Sequence, residues 1–335
     1  MRRRSALLAA ATALPGVSAL AGAAARPAHA QQRTARGFPE RPVRIVVPYG
    51  PGGSSDIVAR ILAQRATEIT GQSFLVENRG GGASIPGTQA VLTAPPDGYT
   101  IGTADNALVV NPALMRDRLP YDTERDLTAL GLAVTAQLVL LANPNAPART
   151  LADVLAEARA QPGTLAVSHG GIATPTHLTM VQMQLAAGVE FNQVGYRGGG
   201  PQLTGLVAGE VPYGLVAISS AFRHVQSGRL RALAISGTAR SPQLPDVPTM
   251  AEAGLPGVDL VGWWGFIAPK GVPPEIVQRL HAVLIAPARE PAVKARLEEL
   301  GYGVVAGSPE DYAERIRREI AQWREIVARV GLRVD

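Results

Sequence analysis

Arg44-Ile45-Val46-Val47-Pro48-Tyr49-Gly50-Pro51-Gly52-Gly53-Ser54-Ser55-Asp56 decides how this chain is read. Four β-favouring residues run into a proline and a Gly/Pro turn. Ser54, Ser55 and Asp56 then precede an apolar-periodic run from Ile57 to Leu62. That pattern predicts a buried strand, a tight loop and a helix that opens on capping residues. Glycines at 50, 52 and 53 let the backbone approach a bound group, because no Cβ intervenes. The first N–H groups of the helix, at the positive end of its dipole, then suit a carboxylate or a phosphate. A plain strand-to-helix turn with a good cap is the simpler alternative.

The same device recurs along the chain. Ser73–Val76 reads as a second strand, ending in the glycine-rich stretch 77–84. Tyr99–Thr103 reads as a third, with Asp105 and Asn106 just beyond it. Leu165–Ser168 leads to His169-Gly170-Gly171-Ile172-Ala173-Thr174-Pro175, where Thr174 is a predicted N-cap and Pro175 a first helical residue. Asn192–Tyr196 runs into Arg197-Gly198-Gly199-Gly200-Pro201, and Val211–Ile218 reads as another strand. Strands alternating with helices predict parallel α/β sheets, whose ligands sit outside the carboxyl ends of the strands. The run Leu138–Ala142 is expected to cross into a second lobe, and Arg231–Ser236 to return. Thr150 and Asp153 form a capping-box pattern. Tyr312, Ile316, Ile320, Trp323, Val327 and Val330 make one apolar helical face, read as core.

Composition excludes several functions. There is no cysteine, so disulfides and thiolate chemistry are absent. The net charge of +5 includes Arg2, Arg3, Arg4 and Arg26, which lie in residues 1–30 among no acids. Without those four arginines the charge is +1, and aromatics are 4%, so a nucleic-acid surface is not expected. Residues 1–30 carry a basic start, an Ala/Leu-rich run and Ala28-His29-Ala30 before a cleavage point. This predicts an export signal cleaved after Ala30, with a twin-arginine route open and a retained anchor disfavoured by Pro15-Gly16.

Phe38-Pro39-Glu40-Arg41-Pro42 leading into the opening stretch is similar to the signature of the substrate receptors of tripartite tricarboxylate transporters, the Bug family. The likeness continues through Val76-Glu77-Asn78-Arg79, Pro96-Asp97-Gly98-Tyr99-Thr100, Tyr196–Pro201, Leu244–Thr249 and Glu252–Pro256. The resemblance implies a type II-like periplasmic binding protein of two α/β lobes, each a mostly parallel sheet flanked by helices, with crossing strands as hinge. Residues 31–136 and 229–335 would form lobe one, and 137–228 lobe two. It implies a small carboxylate ligand, membrane transporter subunits as partners, a periplasmic monomer, no cofactor and no catalysis. A receptor that feeds a sensor is the alternative. The second loop departs from the family pattern, with Gly80-Gly81-Gly82-Ala83-Ser84 in place of a Pro-Gly-Ala-Gly-Gly run. Pro212 and Val216 stand where acids are common, which favours a less polar ligand or a plain carboxylic acid.

The candidate ligand-binding residues are therefore Tyr49, Gly52, Gly53, Ser54, Asp56, Gly82, Ala83, Ser84, Asp105, His169, Gly171, Thr174, Tyr196 and Arg197. Asp56 reads equally as a helix cap, and Arg79 and Arg197 equally as solvated charges. The Trp263-Trp264 pair reads as packing. A dinucleotide fold is the rival, since Gly50 and Gly52 follow a strand and Glu77 ends the next, but Ser55 stands where a third Gly or Ala is needed, and export would remove the cofactor supply. No nucleophile–base set and no metal-ligand spacing is visible.

Overall fold

The computed structural model describes residues 37–115 and 118–330. The expected export segment at 1–30 lies outside them. Two sheets organise the chain. In the first, β1 (Val43–Val47), β2 (Phe74–Asn78) and β3 (Thr100–Ala104) are parallel, with β1 central. β10 (Gly262–Pro269), β4 (Leu127–Ala136) and β11 (Gly303–Val304) extend it antiparallel, in the order β11-β4-β10-β3-β1-β2. In the second, β6 (Ala166–His169), β7 (Asn192–Gly195) and β8 (Tyr213–Ala217) are parallel. β5 (Leu138–Ala142) and β9 (Arg231–Ile235) are antiparallel, giving β7-β6-β8-β5-β9. The loop-bearing strands are parallel as the sequence predicts, and the strands on the crossing side make each sheet mixed.

The crossing is abrupt. Gln137 alone separates β4 of the first sheet from β5 of the second. Its side-chain amide donates to the carbonyls of Ser236 and Ala239, and the Ser236 hydroxyl accepts from Leu138 N–H. The outgoing and returning segments are thus fastened to each other. β9 pairs with β5 at the edge of the second sheet. β9 is a strand of either sheet by composition, and only its pairing places it.

Helices form where local signals agree. α1 (Ser54–Thr70) starts after Gly53 and stops at Gly71, which takes a left-handed conformation and donates to Thr67 O. α4 (Leu151–Ala160) carries the reciprocal Thr150–Asp153 capping box. α10 (Pro309–Val330) buries Tyr312, Ile316 and Ile320 against the first sheet's cluster, while Trp323 and Val327 are half-buried near its end. Every residue of β10 is buried. A fully buried large apolar side chain contributes roughly 1.5–3 kcal/mol, so this central strand fixes the register of the first sheet firmly.

Candidate functional site

The six parallel strands end on one crevice between the sheets, and each end contributes lining. β1 is followed by Tyr49 and Gly53-Ser54-Ser55, β2 by Gly81–Ser84, and β3 by Asp105. β6 is followed by Gly170 and the start of α5 (Pro175–Ala187), and β7 by Tyr196, Arg197 and the start of α6 (Gly199–Ala208). β8 passes directly into α7 (Ile218–Gln226) through Ala217. The crevice holds two chambers that share Tyr49 and Gly170. The inner is walled on its apolar side by Leu138, Pro175, Val216, Ala217 and Trp264. The outer is lined by the second glycine loop, Gly171, Ile172, Tyr196 and Arg197.

The two sides touch. Gly50 N–H donates to Arg197 O at 2.8 Å, and Ser54 Oγ lies 2.7 Å from Ser219 Oγ. A Cβ on Gly200 would overlap the Pro51 carbonyl oxygen, and one on Gly53 would lie 3.2 Å from Gly199 N. Glycine is required at 200 by this close approach and not by its own dihedrals.

The electrostatics of the inner chamber come from main chain. Among the described residues no Lys, Arg or His lines it. The N-caps of α1 (Gly53), α6 (Gly198) and α7 (Ala217) make no side-chain hydrogen bond, so three helix N-termini reach the chamber without a cap. By contrast Thr174 caps α5, accepting from His177 N–H, and Asp105 Oδ1 accepts from Ala107 N–H at the start of α3 (Ala107–Leu114). Ile218, the first residue of α7, gives its N–H to Gln137 O. The N–H groups that stay unpaired at helix starts, reinforced by the dipoles, attract an anion. The one charged lining residue is acidic. Burial pushes Asp105 up to about 6, against hydrogen bonds from Ala107 N–H and the Tyr49 hydroxyl. Burial, and then Asp105, raise Tyr49 well above its ordinary value, so it stays a neutral donor.

Eleven of the expected residues line one chamber or the other, and three do not. Asp56 is buried, and its carboxylate accepts from Gly52 N–H, Arg60 and Asn78. Burial raises its pKa, but those bonds outweigh burial and hold it below the usual carboxylate range. Asp56 therefore shapes the first loop, and Gly52 spends its N–H on that carboxylate. His169 is buried beneath its loop, where Nδ1 accepts from Gly171 N–H. Burial pushes it down to about 4, so it brings no charge to the cleft. His177, also near 4 through burial and the facing His169, accepts from Ala173 N–H. Arg79 pairs with Glu77.

Val216, singled out for the ligand's polarity, lines the inner chamber. Other lining residues were not foreseen: Gln202, Ser220 and Trp264 lie inside elements, where no loop signal marks them. Adjacent strand residues point to opposite faces. Trp263 accordingly packs edge-on against Tyr312 with its Nε1 donating to Glu319, while Trp264 reaches the chamber. In the second loop Ala83 and Ser84 take positive φ, 54° and 68°, where glycine would be unstrained. The Asn111 amide donates to Ala83 O at 2.9 Å and braces that turn. Among the described residues no group of three or more His, Cys, Asp or Glu could hold a metal. No described helix is long and apolar enough to cross a membrane.

Comparison with known proteins gives one consistent answer. The model of the tripartite tricarboxylate transporter family receptor matches residues 58–332. A Pseudomonas sp. strain P51 protein from the tcbD-tcbE intergenic region is 37% identical over 299 residues, covering 89% of each chain. BugT of Bordetella pertussis is 33% identical, over 89% of this chain and 91% of its own. Among solved structures, MatC of Rhodopseudomonas palustris with bound malate superposes with a TM-score of 0.82 at 31% identity, over 87% of this chain and all of its own. An R. palustris protein with adipate gives 0.83 at 31%, over 88% and 98%. The matched fold is that of two-lobed periplasmic binding proteins.

Proposed function

This chain belongs to the tripartite tricarboxylate transporter receptor family, and on that premise we propose that it is a non-catalytic periplasmic receptor for a small organic acid. The ligand's carboxylate docks in the inner chamber against the starts of α1, α6 and α7. The two lobes then close on it, and the closed form delivers it to membrane transporter subunits. The carrying observation is the convergence of three uncapped helix N-termini on a chamber that no basic side chain among the described residues lines. Such a site favours one anionic group and gives it N–H partners without a counter-ion. The malate and adipate held by two relatives belong to the same ligand class. We divide the lobes at Gln137 on the way out and between β9 and β10 on the way back.

A thermal-shift screen against mono-, di- and tricarboxylates, amino acids, aromatic acids and nicotinamide cofactors tests this. A ligand at about 100 times its Kd adds roughly 2.7 kcal/mol, which is a shift of several degrees. A rise with an organic acid, without turnover, is expected. A rise with a nicotinamide cofactor alone, or with no acid at all, overturns the reading.

A further inference from the structure

Gln202 is fully buried in the first turn of α6 and lines the inner chamber. Its amide orientation is fixed by chemistry. Nε2 donates to Leu215 O at 2.8 Å, and a backbone carbonyl can only accept, so the amide nitrogen must face it. Nε2 also donates to Ser168 Oγ at 3.2 Å. The opposite atom, Oε1, is buried without a hydrogen-bond partner. It is close to the anion-binding backbone. A Cβ built on Gly170 would lie 3.5 Å from Gln202 Oε1 and 3.4 Å from Gly199 N, while Gly199 N stands 3.2 Å from the Cβ position of Gly53. The chamber therefore sets an unanswered acceptor beside a group of unanswered donors.

We propose that Gln202 Oε1 selects the ligand by accepting a hydrogen bond from a hydroxyl or N–H carried near the ligand's carboxylate, so that the preferred substrates are donor-bearing acids such as hydroxycarboxylates. The inference rests on the reading of the inner chamber as a carboxylate site. A plain alkanoate fills the same space but leaves Oε1 buried and unpaired, and sites built to answer a polar group discriminate strongly against analogues that lack it. The apolar wall of Leu138, Val216 and Trp264 accepts the remaining carbon chain. This departs from the less polar ligand or plain acid expected from the sequence.

Titration calorimetry with matched pairs, lactate against propionate, 3-hydroxybutyrate against butyrate, malate against succinate, tests it. In the wild type the hydroxylated member of at least one pair should bind ten times tighter or more. Replacing Gln202 also strips Leu215 O of its donor and confounds binding with folding. Gly170→Ala avoids this: Gly170 is outside the left-handed region, and its methyl makes only ordinary contacts while covering Oε1. Its ratio should fall below about threefold. Plain and hydroxylated acids binding within threefold in the wild type would overturn the selection while leaving the receptor intact. So would a preference that survives Gly170→Ala and disappears in Asp105→Asn. Failure of every acid to bind would remove the receptor reading, and the selection with it.

Discussion

The hydroxyl of Tyr49 donates to Asp105 Oδ1 at 2.9 Å, tying together the ends of the paired strands β1 and β3 inside the inner chamber. Tyr49→Phe keeps the ring and deletes the donor. Asp105 Oδ1 then retains only Ala107 N–H, and a buried acceptor is weakened. We expect a loss of about 1–2 kcal/mol in urea unfolding at neutral pH. An unchanged midpoint would mean that the bond contributes nothing.

Asp105 also sets a pH dependence. Its folded pKa, about 6, lies above the ordinary carboxylate value, so ionisation costs stability. From this group the cost is absent below about pH 4, grows between 4 and 6, and is complete above 6. The ionised form also repels a ligand carboxylate in the same chamber. Affinity for an acid that is fully ionised throughout should weaken on the order of tenfold from pH 5 to pH 8. Calorimetry across that range checks the sign, and Asp105→Asn should flatten the profile.

Gly200 faces the Pro51 carbonyl so closely that any side chain blocks the contact between the loops after β1 and β7. Gly200→Ala should leave the ligand-free melting temperature within about two degrees, since ordinary surface changes stay within about 0.5 kcal/mol. Ligand affinity should drop at least about tenfold, a loss of roughly 1.4 kcal/mol. The wild type should contract on ligand binding in small-angle scattering, and the variant should not. Wild-type affinity in the variant would show that the bound state does not use this contact.

Asp56 binds the first loop to Arg60 and Asn78. Its pKa is held low, so its contribution is present above the ordinary carboxylate range and is lost as pH falls below it. Asp56→Ala should cost about 2 kcal/mol at pH 7, a modest figure because Arg60 is half exposed and regains water. In acid, where wild-type Asp56 protonates, the gap between variant and wild type should narrow. Chemical melts at pH 7 and pH 3 make that comparison.

Ala83→Gly relieves a side chain held at φ 54°. Left-handed backbone costs an L-residue roughly 1–2 kcal/mol, and added freedom of the unfolded glycine takes some of the gain back. A net stabilisation of about 0.5–1 kcal/mol is expected in thermal unfolding. Destabilisation would show that the alanine methyl contributes packing that outweighs its strain.

What the sequence disclosed was local. Thr150, Thr174-Pro175 and Gly71 are punctuation marks whose effect spans a single turn, and α4 and α5 begin, and α1 ends, where they predict. By contrast α1 opens at Gly53 with no side-chain cap, and not on the capping residues expected at 54–56. β4 escaped notice because Leu127–Ala136 is apolar but for Gly131 and a threonine near each end, and buried on both faces between them, so no alternation betrays it. Gln202 and Trp264 were hidden for another reason. One lies on a helix and the other on a strand, and only the apposition of two sheets turns them toward a common space. His169 shows the converse error, since a residue at a strand's carboxyl end can point beneath the loop it introduces.

The three uncapped helix starts divide labour in a way that bears on evolvability. Main-chain N–H groups outlast most changes of side chain at their own positions, Gly200 excepted, so the grip proposed for them on an acid head group is largely insulated from mutational drift. The side chains around it, Gln202, Val216, Ser220 and Trp264 among them, remain free to vary one at a time. A lineage can therefore retune what it imports without passing through an intermediate that has lost its hold on organic acids.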